Sequence, residues 1–458
     1  MRQEIDSFGS VEIPDGAYWG PQTQRAIENF PAGERMPREF IHTLALVKQA
    51  CALANEECGV LSSEKTALIV QACKEIREGR WDDQFPLTVF QSGSGTQTNM
   101  NMNEVIANRA HVLRGGALTD RGKTFHPNDD VNKSQSSNDV IPTAMHIAAH
   151  AAIDKQVMPM IDELHEVLSV KGKEYDGIVK SGRTHTMDAV PMTVGQEFKG
   201  WRSQLRITRR TLEESLHPLT RLPIGGTAVG TGLNTPRKFD EIATDHINVL
   251  AQGSFFPDSN KFHSIAAHGA MVKASAALNA AAADLYMIAK NIRLYASGPR
   301  TGLREFVLPA NEPGSSIMPG KVNPTQAEAL MMACIDVIGN HSKVTLAGMN
   351  GEFQLNVAKP LIIAKILESA DILTKTGISF GKRSLLGLTI NEDVLRANLE
   401  NSLMLATALA PHVGYDKASK IASYAQLGNI TLREAAEFYG VSSADFDKWV
   451  NPSRMARR

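Results

Sequence analysis

The chain has 458 residues, and 48 lysines and arginines against 49 aspartates and glutamates leave a formal charge of −1. That length exceeds what one compact core usually takes, so we expect several domains or one elongated fold. A charge so near zero argues against a protein held to nucleic acid or to an anionic membrane by bulk charge. No stretch approaches the roughly 18 apolar residues of a membrane span, and the N-terminus, with Glu4 and Asp6, does not fit a signal or transit peptide. We therefore expect a soluble protein, cytoplasmic or in an organelle matrix after processing, with no nucleic-acid or membrane partner.

Helical periodicity dominates the chain. Apolar residues recur every three or four positions in stretches that begin near Ile153, Val272 and Leu361. β-Branched residues rarely alternate at period two. The pattern predicts an all-α bundle of long helices.

Two changes in pattern suggest domain boundaries. Shorter, more polar segments begin near residue 390, and an earlier boundary near residue 134 precedes a helix that Pro142 is expected to open. The predicted domains are an N-terminal one at 1–134, a central long-helix bundle at 135–390 and a small helical one at 391–458. Polar loops are predicted between the helices at 91–103, 122–142, 180–196, 223–236 and 309–324.

The sequence gives little sign of a metal, a disulfide or a nucleotide. His146 and His150 lie one helical turn apart, but no third ligand accompanies them. The glycine-rich stretch at 225–232 lacks the GxGxxG spacing of a dinucleotide site. We therefore expect no metal and no cofactor. The cysteines contain no CxxC pair and are expected to be reduced core residues: Cys51, Cys58, Cys73 and Cys334.

The stretch GSSIMPGKVNPTQAEAL, at 314–330, places two serines and a lysine before a predicted helix start. Asn323 is a good N-cap and Pro324 a good first helical residue, so free backbone N–H groups should face the loop. Such an end attracts anions, and Lys321 adds a full positive charge. An ordinary capped surface loop is the alternative interpretation of this stretch alone.

Three other loops are also rich in hydroxyl and amide side chains. They are SGSGTQTNMN at 92–101, SQSSND at 134–139 and SGRTHTMDAVP at 181–191. Each alone is a weak signal, because serine, threonine and asparagine are mostly turn formers. Together they suggest the hydrogen-bonding groups around one small anionic substrate.

These motifs resemble the fumarase/aspartase superfamily, and most closely its class II fumarases. The resemblance rests on GSSIMPGKVNPTQAEAL, on HPNDDVNKSQSSND at 126–139 and on GRTH at 182–185, and it extends over nearly the whole chain. Aspartate ammonia-lyases typically carry a threonine in place of Ser137, a glutamine in place of His185 and MPAKVNP in place of MPGKVNP. All three positions favour a fumarase.

The resemblance implies the roles of the site residues. It assigns Ser315 as the base that takes the carbon-bound proton. It assigns His185, oriented by Glu328, as the group that protonates the departing hydroxyl through a water. Lys321 is expected to hold a carboxylate and to stabilise the dianion that forms. The other residues expected around the substrate are Ser94, Gly95, Thr96, Ser136, Ser137, Asn138, Thr184, Ser316, Val322 and Asn323.

The HPND segment resembles a second, non-catalytic dicarboxylate site formed by His126, Pro127, Asn128 and Asp129. Lys123 precedes it where an arginine is expected. Lysine keeps the charge but loses the bidentate fork, which puts the second site in doubt.

The resemblance also implies an assembly and a reaction. The expected assembly is a homotetramer whose central helices form a twenty-helix core, with each active site shared between three subunits. The expected reaction is the reversible hydration of fumarate to (S)-malate in the tricarboxylic acid cycle, by anti addition and elimination through an aci-carboxylate intermediate. Two alternatives stay open: an aspartate ammonia-lyase, and a non-catalytic structural relative such as a lens crystallin.

Overall fold

The computed structural model describes residues 1–457, and helices account for most of them. The prediction of an all-α fold of long helices is confirmed. None of the described helices has the length and apolar character needed to cross a membrane. The α-helices are α1 Pro21–Asn29, α2 Arg38–Glu57, α3 Ser63–Arg77, α4 Thr96–Leu113, α5 Ser137–Ala152, α6 Met158–Glu174, α7 Val194–Leu216, α8 Phe239–Ala251, α9 Lys261–Ala266, α10 Gly269–Tyr295, α11 Thr325–Gly348, α12 Lys359–Phe380, α13 Glu392–Glu400, α14 Ala410–Val413, α15 Tyr415–Gly428, α16 Leu432–Phe438, α17 Ser443–Trp449 and α18 Pro452–Met455.

Strands are short and pair two at a time. Four of these pairs are antiparallel, and β5 with β6 is parallel. The strands are β1 Arg2–Asp6, β2 Gly9–Ile13, β3 Val179–Thr184, β4 Met187–Thr193, β5 Arg221–Leu222, β6 Phe256–Pro257, β7 Phe306–Val307, β8 Gly351–Glu352, β9 Leu355–Asn356 and β10 Thr389–Ile390. The partners are β1 with β2, β3 with β4, β5 with β6, β7 with β10, and β8 with β9.

The chain divides into two compact units. Unit 1 comprises Met1–Pro159, Arg210–Ala282 and Ala333–Thr374. Unit 2 comprises Met160–Arg209, Ala283–Met332 and the described chain from Lys375 onward. The three domains expected from the sequence stay a prediction.

Unit 1 is organised around α2. From Leu44 to Ala52 every residue of this helix is buried, as expected for a helix that neighbours surround on all sides. α2 packs against α3, α5 and α8. Its buried Lys48 donates from Nζ to Asn132 Oδ1 and Gln135 Oε1, both at 2.9 Å. α2 therefore holds the loop that leads into α5.

Unit 2 contains two apolar clusters. In the first, the rings of Phe198 and Phe306 are stacked with centroids 5.8 Å apart, and the Tyr295 centroid lies 4.9 Å from that of Phe306. In the second, the short helices α15, α16 and α17 bury apolar residues between Leu405 and Val450. Burial of aromatic and aliphatic surface is the main stabilising contribution in both.

α5 begins at Ser137, so the prediction that Pro142 opens this helix is wrong. Ser136 Oγ accepts the Asn138 N–H at 3.1 Å, and the Asp139 carboxylate accepts the Ser136 N–H at 2.9 Å. This capping box starts the helix. Pro142 lies inside the helix, where it leaves the Asn138 carbonyl without the usual helical donor.

Three of the predicted polar loops contain more regular structure than expected. The loop at 91–103 is helical from Thr96, the one at 122–142 is helical from Ser137, and the one at 180–196 is mostly the β3–β4 hairpin. Serine, threonine and asparagine cap helices as readily as they form turns, so their clusters marked helix starts.

None of the four cysteines forms a disulfide within residues 1–457. Cys51, Cys73 and Cys334 are buried as predicted, whereas Cys58 at the end of α2 is only half-buried. The prediction of a core position is therefore wrong for Cys58.

Candidate active site

A row of hydroxyl groups lies at the N-termini of α4 and α5 in unit 1. Ser92 Oγ is 2.9 Å from Ser94 Oγ, which is 2.7 Å from Thr96 Oγ1. Thr96 Oγ1 in turn lies 2.9 Å from Ser137 Oγ. We name Ser92, Ser94, Thr96 and Ser137 the hydroxyl ladder. Thr96 and Ser137 are the first residues of α4 and α5, so the positive ends of two helix dipoles meet here. The arrangement suits the oxygens of a small anion.

Gly95 makes the turn that aligns the ladder. Its φ is +78°, a left-handed conformation that favours glycine, and its N–H donates to the Ser92 carbonyl at 2.8 Å. A Cβ at this position would lie 3.1 Å from the Ile141 side chain. Gly95, a predicted binding residue, therefore provides the backbone turn rather than a side-chain contact.

Two further predicted binding residues, Ser136 and Asn138, have structural partners within the chain. Ser136 caps α5. Asn138 donates from Nδ2 to the Ala228 carbonyl at 2.8 Å, which ties the glycine-rich loop at 225–232 to α5. Both residues adjoin the hydroxyl ladder through Ser137.

Asp139 strengthens this connection and was missed by the sequence analysis. Its carboxylate accepts backbone N–H groups from Gly225 at 3.1 Å and Thr227 at 2.9 Å, besides that of Ser136. The residue is fully buried, and this burial raises its pKa to about 6. The S-x-x-D spacing of a capping box was the available signal.

The loop before α11, residues 314–323, which we name the Ser315 loop, is closed by backbone contacts in unit 2. The Gly314 N–H donates to the Lys321 carbonyl at 2.9 Å, and Asn323 Nδ2 donates to the Gly314 carbonyl. A Cβ on Gly314 would lie 2.3 Å from the Lys321 carbonyl oxygen, so only glycine fits. α11 begins at Thr325, one residue after the predicted start, because Asn323 uses its side chain to close the loop.

Ser315 accepts hydrogen bonds from the backbone of its own loop. Its Oγ accepts the N–H of Met318 at 3.0 Å and that of Ile317 at 3.3 Å. Donors to an oxygen favour its ionised form. The geometry therefore provides part of the activation that a serine base needs.

Ser316, Lys321 and Val322 are exposed on the same loop. The Lys321 ammonium has no side-chain or carbonyl partner among residues 1–457. A recess of about 400 Å³, lined by the Ser315 loop and residues 310–313, lies beside it. A free cation at a recess suits an anionic ligand.

Thr184 and His185 lie at the tip of the β3–β4 hairpin in unit 2. His185 has φ +56° and Thr186 φ +63°, as in a two-residue type I′ turn. Thr184 and His185, the two site residues predicted here from the sequence, are both exposed. Within the part of the chain that the structure describes, the His185 ring has no hydrogen-bond partner.

A buried ion network anchors the base of this hairpin. Arg183 Nη2 lies 2.5 Å from Glu305 Oε1, and Lys180 Nζ lies 3.1 Å from Glu305 Oε2 and 2.7 Å from Glu197 Oε2. The Lys180 ammonium also lies 3.6 Å from the centroid of the Tyr295 ring. Because both cations are paired, the network holds the strand that leads to His185 in place.

Glu328 lies in the first turn of α11, where its Oε1 is 3.5 Å from Arg293 Nε. No hydrogen bond joins Glu328 to His185 among residues 1–457. The site residues predicted from the sequence therefore form two groups within one chain. The hydroxyl ladder and its supports belong to unit 1, and the Ser315 loop, the His185 hairpin and Glu328 belong to unit 2.

Three residues of the predicted second site, His126, Pro127 and Asn128, line a pocket of about 1100 Å³ in unit 1, and Asp129 does not. His126 and Asn128 lie on its wall, and His126 Nδ1 accepts the Asp129 N–H at 3.1 Å. Lys123 also lines it, but its Nζ donates to Glu4 at 2.6 Å. Burial lowers the pKa of Lys123, and its charge is already compensated within the chain.

Two family models match the chain. The one described as Lyase matches residues 9–339, and the one described as Fumarase C C-terminus matches residues 405–457. Together with the all-α fold, these matches define a lyase.

The similarity to individual proteins is more specific. A fumarate hydratase class II from Pasteurella multocida (strain Pm70) is 49% identical over 458 residues, covering 99% of this chain and 98% of the relative. One from Thermosynechococcus vestitus is 50% identical over 460 residues, covering 99% and 97%. The crystal structure of a class II fumarase from Schistosoma mansoni matches with a TM-score of 0.96 at 40% identity, covering 99% of each chain. The chain belongs to the class II fumarate hydratase family, which confirms the sequence resemblance.

Proposed function

We propose that this protein catalyses the reversible hydration of fumarate to (S)-malate. The observation that carries the proposal is the hydrogen bonding of Ser315, whose Oγ accepts two backbone N–H groups on a loop that also presents Lys321. A positioned oxygen base beside a cation suits removal of a proton next to a carboxylate. The hydroxyl ladder supplies a separate surface of donors for the remaining substrate oxygens.

In the direction of malate dehydration, Ser315 as an alkoxide takes the proton from the carbon next to a carboxylate. The electron pair of that C–H bond moves into the carboxylate and gives an aci-carboxylate dianion. Lys321 and the N-terminal end of α11 stabilise the added charge. Collapse of the dianion forms the double bond and expels the hydroxyl on the opposite face.

His185 acts as the acid for the departing hydroxyl oxygen. Through a water it protonates the departing hydroxyl, so that fumarate and water leave. In the hydration direction the same steps run in reverse. Glu328 is the proposed partner that orients the imidazole, because a carboxylate fixes the tautomer and keeps the ring basic. Its present ion pair with Arg293 is long, at 3.5 Å, and half-exposed, so Glu328 can exchange this partner at low cost.

We further propose a homotetramer in which three subunits build each site and the central helices form a twenty-helix core. The support is twofold. Large apolar side chains stand exposed along α11, at Met332, Ile335, Ile338 and Leu346. Such a patch is typical of a protein interface. In addition, no hydrogen bond or ion pair joins His185 to Glu328 among residues 1–457.

The remaining expectations also stay proposals: three domains at 1–134, 135–390 and 391–458, a cytoplasmic location, a role in the tricarboxylic acid cycle and a second dicarboxylate site at residues 126–129. The reaction is proposed to need no metal or cofactor. The test for this last point is chelation, since we expect activity to survive EDTA. Loss of activity that iron or zinc restores would contradict it.

An ultraviolet assay tests the proposed function directly. Fumarate absorbance should fall on addition of the protein to fumarate and rise with (S)-malate, and it should stay flat with aspartate. Production of fumarate and ammonia from aspartate would favour the aspartate ammonia-lyase alternative. Inactivity with both substrates would favour the structural relative, although Ser315, His185, Lys321 and Asn323 are all present.

A further inference from the structure

Lys359, the first residue of α12, lies against the loop that carries the hydroxyl ladder. Its backbone N–H donates to the Gly93 carbonyl at 2.9 Å. Gly93 is packed so closely here that a Cβ would lie 1.4 Å from the Val357 carbonyl oxygen. The start of α12 is therefore fixed one residue from Ser94 of the ladder.

The ammonium group of Lys359 is buried without a partner. The residue has 0% exposure, and its Nζ donates to no acceptor among residues 1–457. Desolvation lowers its pKa to about 7. An unpaired buried cation is unfavourable, and it is retained where another group compensates for it.

Lys48 provides the contrast within the same unit. It is equally buried, but its Nζ donates to Asn132 and Gln135. A buried lysine that only supports the fold can thus be satisfied by amide oxygens. Lys359 has no such acceptor, which points to a role with a group from outside the chain.

The hydroxyl ladder, for its part, lacks a full positive charge. The segments 91–98 and 134–138 contain no lysine, arginine or histidine. The dipoles of α4 and α5 contribute partial charges only. In a buried site, a carboxylate is stabilised most by a full opposite charge nearby.

We propose that Lys359 supplies the positive charge for one carboxylate of the substrate and so selects dicarboxylates over singly charged analogues. This inference rests on the proposed function, because that function assigns the hydroxyl ladder to the substrate. It adds a specificity-determining residue in unit 1 to the Lys321 cation of unit 2.

The titratable groups around Lys359 are consistent with this role. Asp139, in the first turn of α5, and His268, just before α10, are the groups that interact with it electrostatically. Asp139 is already bound by three backbone N–H groups. Burial holds the pKa of His268 well below its usual range, so that ring is neutral. The ladder loop at 91–95 adds no charge.

Calorimetry on the assembled protein can test the inference with succinate, a non-reactive dicarboxylate, and its monoamide, succinamate. We expect the wild-type protein to bind succinate at least tenfold more tightly than succinamate at pH 7. In Lys359→Met, which keeps an unbranched side chain of similar length, that preference should fall to within threefold. A general loosening of the fold would weaken both ligands and leave their ratio unchanged.

Lys171→Met is the matched control. Lys171 is buried in unit 2 and pairs with Glu174 at 3.0 Å, so its loss should not change the succinate preference. Thermal melting should show Lys359→Met to be as stable as the wild type or more so, since the variant removes an unpaired buried charge. A Lys359→Met protein that keeps the full preference for succinate overturns the inference.

Proton uptake gives a second measurement that does not depend on the folding of this variant. Lys359 is mostly neutral at pH 8, and a carboxylate bound beside it should draw a proton from solution. Titrations with succinate in buffers of different ionisation enthalpy should show uptake at pH 8 and much less at pH 6. The same uptake should persist in His185→Asn, which removes the titratable imidazole of the proposed site. Absence of uptake at pH 8 contradicts the inference.

Fumarate turnover, measured in parallel, separates this inference from the proposed function. A wild-type protein that hydrates fumarate while Lys359→Met keeps its succinate preference contradicts the inference alone. Binding of succinate that depends on Lys359, without any hydration of fumarate, contradicts the proposed function alone.

Discussion

The hydroxyl ladder in unit 1 and the Ser315 loop in unit 2 differ in how completely the chain satisfies their side chains. Every ladder hydroxyl has a partner, and the ladder is fixed by the starts of α4 and α5. In unit 2, Lys321 and the His185 ring are exposed and have no side-chain partner among residues 1–457. The hydroxyl ladder is therefore preorganised within one chain, whereas the Lys321 ammonium and the His185 ring are not held by side-chain partners there.

The largest expected effect on turnover comes from removal of the proposed base, Ser315. Ser315→Ala should lower kcat by about 10²- to 10⁴-fold, the usual contribution of a positioned base, and leave the affinity for succinate largely unchanged. Steady-state kinetics and calorimetry measure the two quantities. Ser443→Ala, at an exposed position on α17, is a suitable control. Near-normal turnover of Ser315→Ala would show that the base lies elsewhere, with His185 the next candidate.

Lys321→Met should weaken binding and turnover together. Lys321 is proposed to hold the ground-state carboxylate and to stabilise the dianion, so the loss of one charged hydrogen bond should reduce each by about 10- to 100-fold. The measurements are the succinate dissociation constant and kcat. A variant that loses turnover but keeps its affinity would place Lys321 on the transition state alone.

Substitutions in the ladder should act mainly on binding. Ser137→Ala removes one neutral hydrogen bond, which corresponds to a rise in KM of about 3- to 10-fold with little change in kcat. Ser443→Ala, on the exposed helix α17, should change neither value. If Ser137→Ala instead lowers kcat strongly at unchanged KM, the assignment of unit 1 to binding and unit 2 to chemistry fails.

A buried histidine in unit 1 should make the stability of the protein depend on pH in the acid range. Its effect on activity should be the smallest of those considered. His146 is buried, and desolvation lowers its pKa to about 4 from an ordinary value of 6.5. A depressed folded-state pKa contributes stability that is present above pH 6.5 and is lost as the pH falls through 4, about 3 kcal/mol in all. Urea unfolding across this window should give a shallower pH dependence for His146→Gln. An unchanged slope would contradict the assignment.

Local patterns predicted much of this molecule. The three-to-four spacing of apolar residues predicted α10 and α12, because burial of one helix face follows directly from that spacing. The loop motifs predicted the neighbourhood of Ser94, Thr96 and Ser137 through their resemblance to a known family. Local sequence misled at Pro142, because a capping box at Ser136 outweighs the preference of proline for the first helical turn.

The supporting contacts could not be predicted in the same way. Arg183 and Glu305 pair across a long stretch of chain, as do Asp139 and Gly225, and neither sequence segment indicates its partner. The lack of a partner for Lys359 is likewise visible only once the helices are packed. Single-sequence patterns report local periodicity and capping, whereas these contacts depend on which segments meet in space.

The central proposal is that His185 and Ser315 of one active site come from different subunits. Its most direct test is to mix inactive His185→Asn and Ser315→Ala proteins after partial unfolding, with subunit exchange confirmed by two affinity tags. If His185 and Ser315 of one site come from different subunits, random exchange should leave about a quarter of the sites intact and restore about that fraction of wild-type activity. If both residues act from the same chain, no mixed assembly contains an intact site. Activity that stays at zero after confirmed exchange would contradict the claim.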